Sequence, residues 1–327
     1  MLRKIFVVTL LLALFLPVLY VAIQPAPVLP SGYYNQHQSN DDNPDQLIAT
    51  FLGTSSLLFS DGKTQIMIDG FFTRPSLGTL LFSHIAPDSA LITESLQKLK
   101  LTSLGVVAVA HSHHDHAMDA AEISRQTGAL VFGSTSTANI ARGWGLPESQ
   151  IRMVEEKESL VSGDFKVTLI RSRHAAVPKL MAWLTGIDEQ IRLPLSFPAR
   201  LTDFKEGGSF SVYIQHPLGN VLVQASAGYS PGALYKCKAD VVFLGVAGLS
   251  KQSNEFQQAY FDEVVASVGA QRLIPIHWDD FMKPLSKGLV PLGPPIDDIN
   301  AALDALKTRF PERSITLLQA WEQLRLY

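Results

Sequence analysis

Four of the chain's nine histidines fall within six consecutive positions, His111-Ser112-His113-His114-Asp115-His116. Imidazole nitrogens and carboxylate oxygens are the donors that hold zinc and similar first-row divalent ions. Neither a solvated surface nor a packed core has a use for such a run. His111 and His113, two positions apart, can aim at one ion, while Asp115 and His116, further round the turn, can serve a second beside it. His114 is out of phase and is expected to point away.

The run follows residues 104–110, an apolar stretch with the length and valine content of a buried strand, and precedes residues 117–126, which read as a helix. A strand-to-helix loop this short cannot surround a pair of ions, so further ligands must come from later strand ends. Residues 165–171 alternate like a half-buried strand and lead to His174; residues 272–276 form a second apolar strand ending at His277-Trp278-Asp279-Asp280. A histidine at the same end of two strands suits one shared rim. His37, His84 and His216 lack that setting and are read as non-ligands.

With these residues in place, the chain resembles the metallo-β-lactamase-fold hydrolases, whose HxHxDH signature matches His111-x-His113-x-Asp115-His116. Within that superfamily it is most similar to the branch of N-acylphosphatidylethanolamine-hydrolysing phospholipase D and L-ascorbate-6-phosphate lactonase. Met67-Ile68-Asp69-Gly70, Gly208-Ser209-Phe210 and Pro275-Ile276-His277-Trp278 carry that similarity. The resemblance implies an α+β chain folded as an αββα four-layer sandwich, with the metal at one edge of the two sheets. It also implies that His111, His113 and His174 hold one ion and Asp115, His116 and His277 the other.

One position departs from the family. Aligning on Gly228-Tyr229 places Ser226 where the family has an aspartate that bridges two metals. A neutral, monodentate hydroxyl cannot replace a carboxylate in charge or geometry. Three outcomes follow: two metals joined only by hydroxide, one tight metal with the second weak or absent, or a site that binds without hydrolysing. The middle one is favoured, with Zn2+ as the ion. Asp279 and Asp280 are read as loop or supporting residues.

A formal net charge of −3 gives no electrostatic footprint for nucleic acid. Arg3-Lys4 precede an uncharged apolar run over residues 5–23, close to the roughly 20 residues that an α-helix needs to cross a bilayer. Residues 1–23 are therefore expected to be a transmembrane anchor or signal segment. The charge asymmetry places the domain outside the cytoplasm, in the periplasm of a Gram-negative source, and a cleaved segment would make the protein secreted. The lone Cys237 excludes an internal disulfide and reads as a small buried apolar residue.

Residues 24–46, rich in Pro, Ser, Asn, Asp and Gln, read as a tether. Residues 47–327 read as one catalytic domain. Within it, 175–206 fits no element of the fold and is read as a substrate-recognition insert, apolar enough to cap the metals or touch a membrane. A divalent ion lowers the pKa of bound water and polarises a carbonyl or phosphoryl oxygen, so the expected activity is hydrolysis of an ester-type bond: a phosphodiester, a lactone or a related group. The substrate is expected to be a small or lipid-like molecule, with the inner membrane as partner through the N-terminal helix. The resemblance gives Asp115 the role of orienting, or taking a proton from, the attacking water. The alternative is a non-hydrolytic envelope protein that binds a metal or ligand on the same fold.

Overall fold

Short apolar strands alternate with helices along the chain, and the faces they must bury sort them into layers. A computed structural model describes residues 27–34, 46–155, 158–294 and 296–327 of the protein. One sheet contains β1 (Ile48–Phe51), β2 (Leu57–Ser60), β3 (Gln65–Ile68), β4 (Leu104–Ala108), β5 (Leu130–Gly133) and β6 (Ile151–Met153). The other contains β7 (Ser159–Ser162), β8 (Phe165–Arg171), β9 (Phe210–His216), β10 (Gly219–Gln224), β11 (Val241–Gly245), β12 (Arg272–Ile276) and β13 (Ser314–Ile315). A last strand, β14 (Gln323–Arg325), returns to pair with β1 and forms one edge of the first sheet.

Both sheets are mixed. β1 to β3 pair antiparallel and β3 to β6 parallel, while β7 to β10 pair antiparallel and β10 to β13 parallel. Composition follows pairing. β11 (VVFLG), flanked by parallel neighbours and covered on both faces, is apolar and buried throughout. β8, nearer an edge, alternates buried with more exposed residues. Phe59 of β2 and Phe243 of β11 meet edge to face with centroids 5.5 Å apart, locking one sheet onto the other.

Among the described residues eight α-helices complete the layers: α1 (Leu77–Phe82), α2 (Ser89–Lys98), α3 (His114–Ala117), α4 (Ala120–Thr127), α5 (Thr135–Gly143), α6 (Lys179–Thr185), α7 (Asn254–Phe261) and α8 (Ile299–Arg309). α4 and α5 pack on the first sheet with α2 beside α4, and α7 and α8 pack together on the other side. Their starts are set by side-chain caps: Asp88 accepts from the Ala90 and Leu91 amides, Ser134 from Thr137 and Asp298 from Ala301. The Asp298 cap starts α8 at Ile299.

Other boundaries differ from those expected, for similarly local reasons. The helix expected over 117–126 is split into α3 and α4. At the break Asp119 turns its carboxylate away to accept from the Phe72 and Thr73 amides and the Thr73 hydroxyl. The stretch 175–206 contains helix α6, which Gly186 ends in the left-handed conformation at φ 62°, and a 3-10 turn at Leu201–Asp203. Within the expected tether, Ser31–Tyr33 forms a 3-10 turn and Tyr34 bridges Leu317 beside β13. Among the described residues no helix is long and apolar enough to cross a membrane; the anchor expected over 1–23 lies outside the described residues.

Glu122 ties the inside of α4 to the C-cap of α5. Its carboxylate accepts from Arg125, Gln126 and the Trp144 indole N–H, with its side chain wholly buried. Burial alone would raise its pKa, but the hydrogen bonds from Arg125, Gln126 and Trp144 outweigh it and hold the group down to about 2. A carboxylate depressed on folding stabilises the native state above its unfolded pKa, near 4.5, and loses that contribution as pH falls toward 2. Glu122→Gln should therefore lower stability by about 2 kcal/mol at pH 7, with the gap to wild type closing between pH 4.5 and 2. Urea midpoints of both proteins across that range check it, and a gap independent of pH refutes it.

Candidate metal centre

Every predicted site residue lies just beyond the C-terminal end of a strand. The His111–His116 run follows β4, His174 follows β8, Ser226 follows β10 and His277 follows β12. β8, β10 and β12 share one direction, because two antiparallel steps separate β8 from β10 and a parallel run leads on to β12. Loops distant in sequence are thereby delivered to one rim.

At that rim the side chains form two trios. Ring nitrogens of His111, His113 and His174 lie within 4.8 Å of one another, and donor atoms of Asp115, His116 and His277 form a second such group. The trios abut, with His111 and His116 ring centroids 3.8 Å apart. Asp115 Oδ2 lies 3.3 Å from His277 Nε2 and 3.5 Å from His116 Nε2.

Hydrogen bonds on the outer side of the rings decide which nitrogen faces inward. His113 Nε2 donates to the Thr185 carbonyl at the end of α6, 2.9 Å away. A carbonyl can only accept, so Nδ1 keeps its lone pair, 3.1 Å from His111 Nε2. His174 Nδ1 donates to the Ala175 carbonyl at 2.8 Å, and His116 Nδ1 donates to Asp69 Oδ2 at 2.8 Å. In each case the outer nitrogen is engaged and the inner one is free to coordinate, as the supporting shell of a metal site requires.

Electrostatics agree with that geometry. Burial, followed by mutual repulsion with neighbouring rings, lowers the pKa of His111 and His113 well below the ordinary imidazole value. His174 is lowered too, chiefly by burial. Burial alone would raise Asp115, but His116, His277 and His114 together hold its carboxyl well below the usual range. Burial would lower His116, but Asp115 and Asp69 raise it. Neutral imidazoles at His111, His113 and His174 beside an ionised Asp115 are the protonation states in which these groups bind a divalent cation, whereas the carboxylates around His116 favour its protonated form. His111 Nδ1 and His277 Nδ1 are buried with no hydrogen-bond partner among the described residues.

The backbone is shaped to hold the ligands in place. Asp69, at the end of β3, accepts from the Ala110 amide, the Ser55 hydroxyl and His116, tying the metal loop to the neighbouring strand. His277 takes a left-handed φ of 57°, a conformation costly outside glycine. Its amide donates to the Thr54 carbonyl at 2.6 Å. Thr54 is fixed in turn by Asp279, which accepts from its amide at 2.7 Å and from buried Arg74 at 2.8 Å. Asp279 is thus committed to this clamp. At Gly228 an added Cβ would lie 2.3 Å from the Arg173 carbonyl and 2.5 Å from that of His174, so only glycine lets the two loops pass.

The Ser226 hydroxyl accepts from the Ala175 amide at 2.9 Å, steadying the residue whose carbonyl orients His174. His114 belongs to neither trio: it is buried among Phe71, Phe204 and Phe281, 5.8 to 6.3 Å between centroids. His84 is exposed and His37 lies outside the described residues. His216 sits at the far end of β9, 3.3 Å from Asp61, and with Asp164 these form a third group of possible donors. The Leu218 amide donates to His216 Nδ1, so Nε2 carries the proton toward Asp61 and offers no lone pair. Cys237 is buried and unpaired. A cavity of about 390 Å³ opens beside His174, lined by Arg171, Arg173, Ala182, Glu206 and Gly208 among others.

No family model matches the chain. Over 100 residues it is 29% identical to a UPF0173 metal-dependent hydrolase of Heliobacterium modesticaldum, a match covering 31% of this chain and 35% of that relative. The chain thus spans about a third of the length of that curated relative. Igni18, a metallo hydrolase from Ignicoccus hospitalis, superposes with a TM-score of 0.52 at 15% identity, over 86% of this chain and 99% of the other. CmlA, a diiron β-hydroxylase from Streptomyces venezuelae, superposes with a TM-score of 0.52 at 14% identity, over 88% of this chain and 55% of the other. With YhfI from Bacillus subtilis, a metallo-β-lactamase-fold protein with a TM-score of 0.50 at 14% identity over 86% of this chain and 100% of the other, they show that the chain has the metallo-β-lactamase fold.

The lowered histidines make a prediction for the chelated protein. An imidazole kept neutral by folding binds fewer protons than its unfolded counterpart below the ordinary value of 6.5, so stability falls as pH drops through that value. Thermal unfolding of EDTA-treated protein should show a lower Tm at pH 5.5 than at pH 7.5, and His113→Asn should reduce the slope. A Tm that stays level would contradict the assignment.

Proposed function

We propose that the protein is a metal-dependent hydrolase acting on an ester-type bond, such as a phosphodiester or lactone, with zinc as the ion. The observation that carries this reading is the convergence of five imidazoles and one carboxylate, three of whose rings have their outer nitrogens engaged by Asp69, Ala175 and Thr185. The curated relative's name, metal-dependent hydrolase, points the same way. Residues 1–23 would tether the protein to the membrane with its domain outside the cytoplasm, and the substrate would be a small or lipid-like molecule.

His111, His113 and His174 would hold one ion, and Asp115, His116 and His277 a second. A bound divalent ion supplies an activated water and polarises the bond to be cleaved. The protein's own part is to hold the donors still and manage protons. Asp115, kept ionised by His116, His277 and His114, orients the attacking water and accepts its proton. Asp69 fixes the His116 ring, and the Thr185 and Ala175 carbonyls fix His113 and His174, so these ligands are preorganised before substrate arrives.

Ser226 supports a finer reading. With a hydroxyl in place of the family's bridging aspartate, and that hydroxyl accepting from Ala175, one ion is held tightly and the second weakly. The same residue favours the alternative, a non-hydrolytic metal- or ligand-binding protein. Metal analysis of the full chain with a panel of phosphodiesters, lactones and carboxylic esters separates the two. Hydrolysis should be present and fall by about 10³-fold in Asp115→Asn, with the fold intact. Ser226→Asp should raise metal stoichiometry while altering, not creating, activity. Turnover seen only in Ser226→Asp would establish the alternative, and protein without a transition metal would overturn the metal-dependent hydrolase and leave only the ligand-binding form of the alternative.

A further inference from the structure

Helix α6 carries apolar side chains that the fold leaves uncovered. Leu180 is 67% exposed, Met181 48% and Trp183 70%, with Val177 just before the helix 37% exposed. No residue of α6 is buried and none is acidic; Lys179 supplies its one charge. Helices of soluble domains bury one stripe and show a polar face. α6 instead presents large apolar residues outward, with a tryptophan among them, the composition of a helix lying in a membrane interface.

Its position is fixed by the site. The Thr185 carbonyl at its end accepts from His113, and Ala182 lines the cavity beside His174. The helix therefore sits beside the approach to the metal centre, with Val177 and Ala182 lining the cavity.

The N-terminal part of the chain reaches the same rim. Pro27 and Val28 are the first described residues, and the Val28 carbonyl accepts from Asn300 at the start of α8. Asp297, just before that helix, accepts from the Gly248 amide and the Ser250 hydroxyl in the loop that follows β11. Gln252 in that loop donates to the Ala176 carbonyl, immediately ahead of α6. Chain segments joined by hydrogen bonds thus lead from Val28, through the start of α8 and the loop after β11, to the segment ahead of α6. The uncharged apolar run over residues 5–23 precedes Val28 by only a few positions.

We propose that α6 docks on a phospholipid bilayer, inserting Leu180, Met181 and Trp183 so that the metal rim faces the membrane surface. The inference rests on the tethered reading above and deepens it: substrate would be taken from the lipid surface at the mouth of the cavity rather than from bulk water. A second copy of the chain covering α6 is the competing occupant.

The full chain reconstituted into phosphatidylcholine vesicles, with ordinary or brominated acyl chains, tests this. Trp183 emission is isolated as the difference between wild type and Trp183→Phe, which cancels the other tryptophans. Brominated lipid should remove most of that difference. A difference equally bright in both vesicles overturns the proposal, including the case in which another copy covers the helix. Resistance to alkaline carbonate extraction reports the tether independently. Quenched but extractable protein would keep the docking and refute the tether; unquenched but resistant protein would do the reverse.

Discussion

Confining imidazole lone pairs together in a buried crevice is the constraint on which the site's architecture depends. Nitrogens on His111 and His113 face each other at 3.1 Å, and a third ring, His174, closes on both with centroids about 5 Å away. Without a cation His111 Nε2 can satisfy His113 Nδ1 by a hydrogen bond, but the other inward lone pairs forgo hydration. The surrounding structure holds the arrangement nonetheless. Asp69, the Thr185 and Ala175 carbonyls, and the clamp formed by Arg74, Asp279 and Thr54 act on the ligands from outside.

The sandwich makes that confinement possible by placing strand ends. Each trio draws on both sheets: the first combines the β4 loop with the end of β8, the second combines that loop with the end of β12. The Phe59–Phe243 contact and the inner faces around it keep the sheets in register. Interiors packed at this density do not deform continuously, so the separation of the trios is a property of the whole domain.

Much of this was legible in the sequence because the chemistry is concentrated. Six residues in a row supplied four donors, and the remaining two histidines each followed an apolar strand that alternation or length made recognisable. The structure brings all six together, with His114 outside both trios. What escaped was what side-chain identity does not encode. The Thr185 and Ala175 contacts are backbone carbonyls, invisible to any motif. Asp69 stood in a recognisable acidic turn, but its hold on His116 needs β3 and β4 to be neighbours. α6 lies in a segment broken by prolines and glycines, and so read as irregular. Leu29–Tyr34 read as tether because Pro and Ser mask the burial of Leu29 against the domain.

The bond from His113 to the Thr185 carbonyl joins α6 to the first trio, and thermodynamic reciprocity follows from it. Any ligand or surface that orders α6 and thereby strengthens this bond must tighten a cation held by His113 by some factor. Loading that cation must tighten the ordering ligand by the same factor. Metal affinity and engagement of α6 are two readings of a single coupling free energy, so in this molecule an ion titration would sense what touches the outside of the helix.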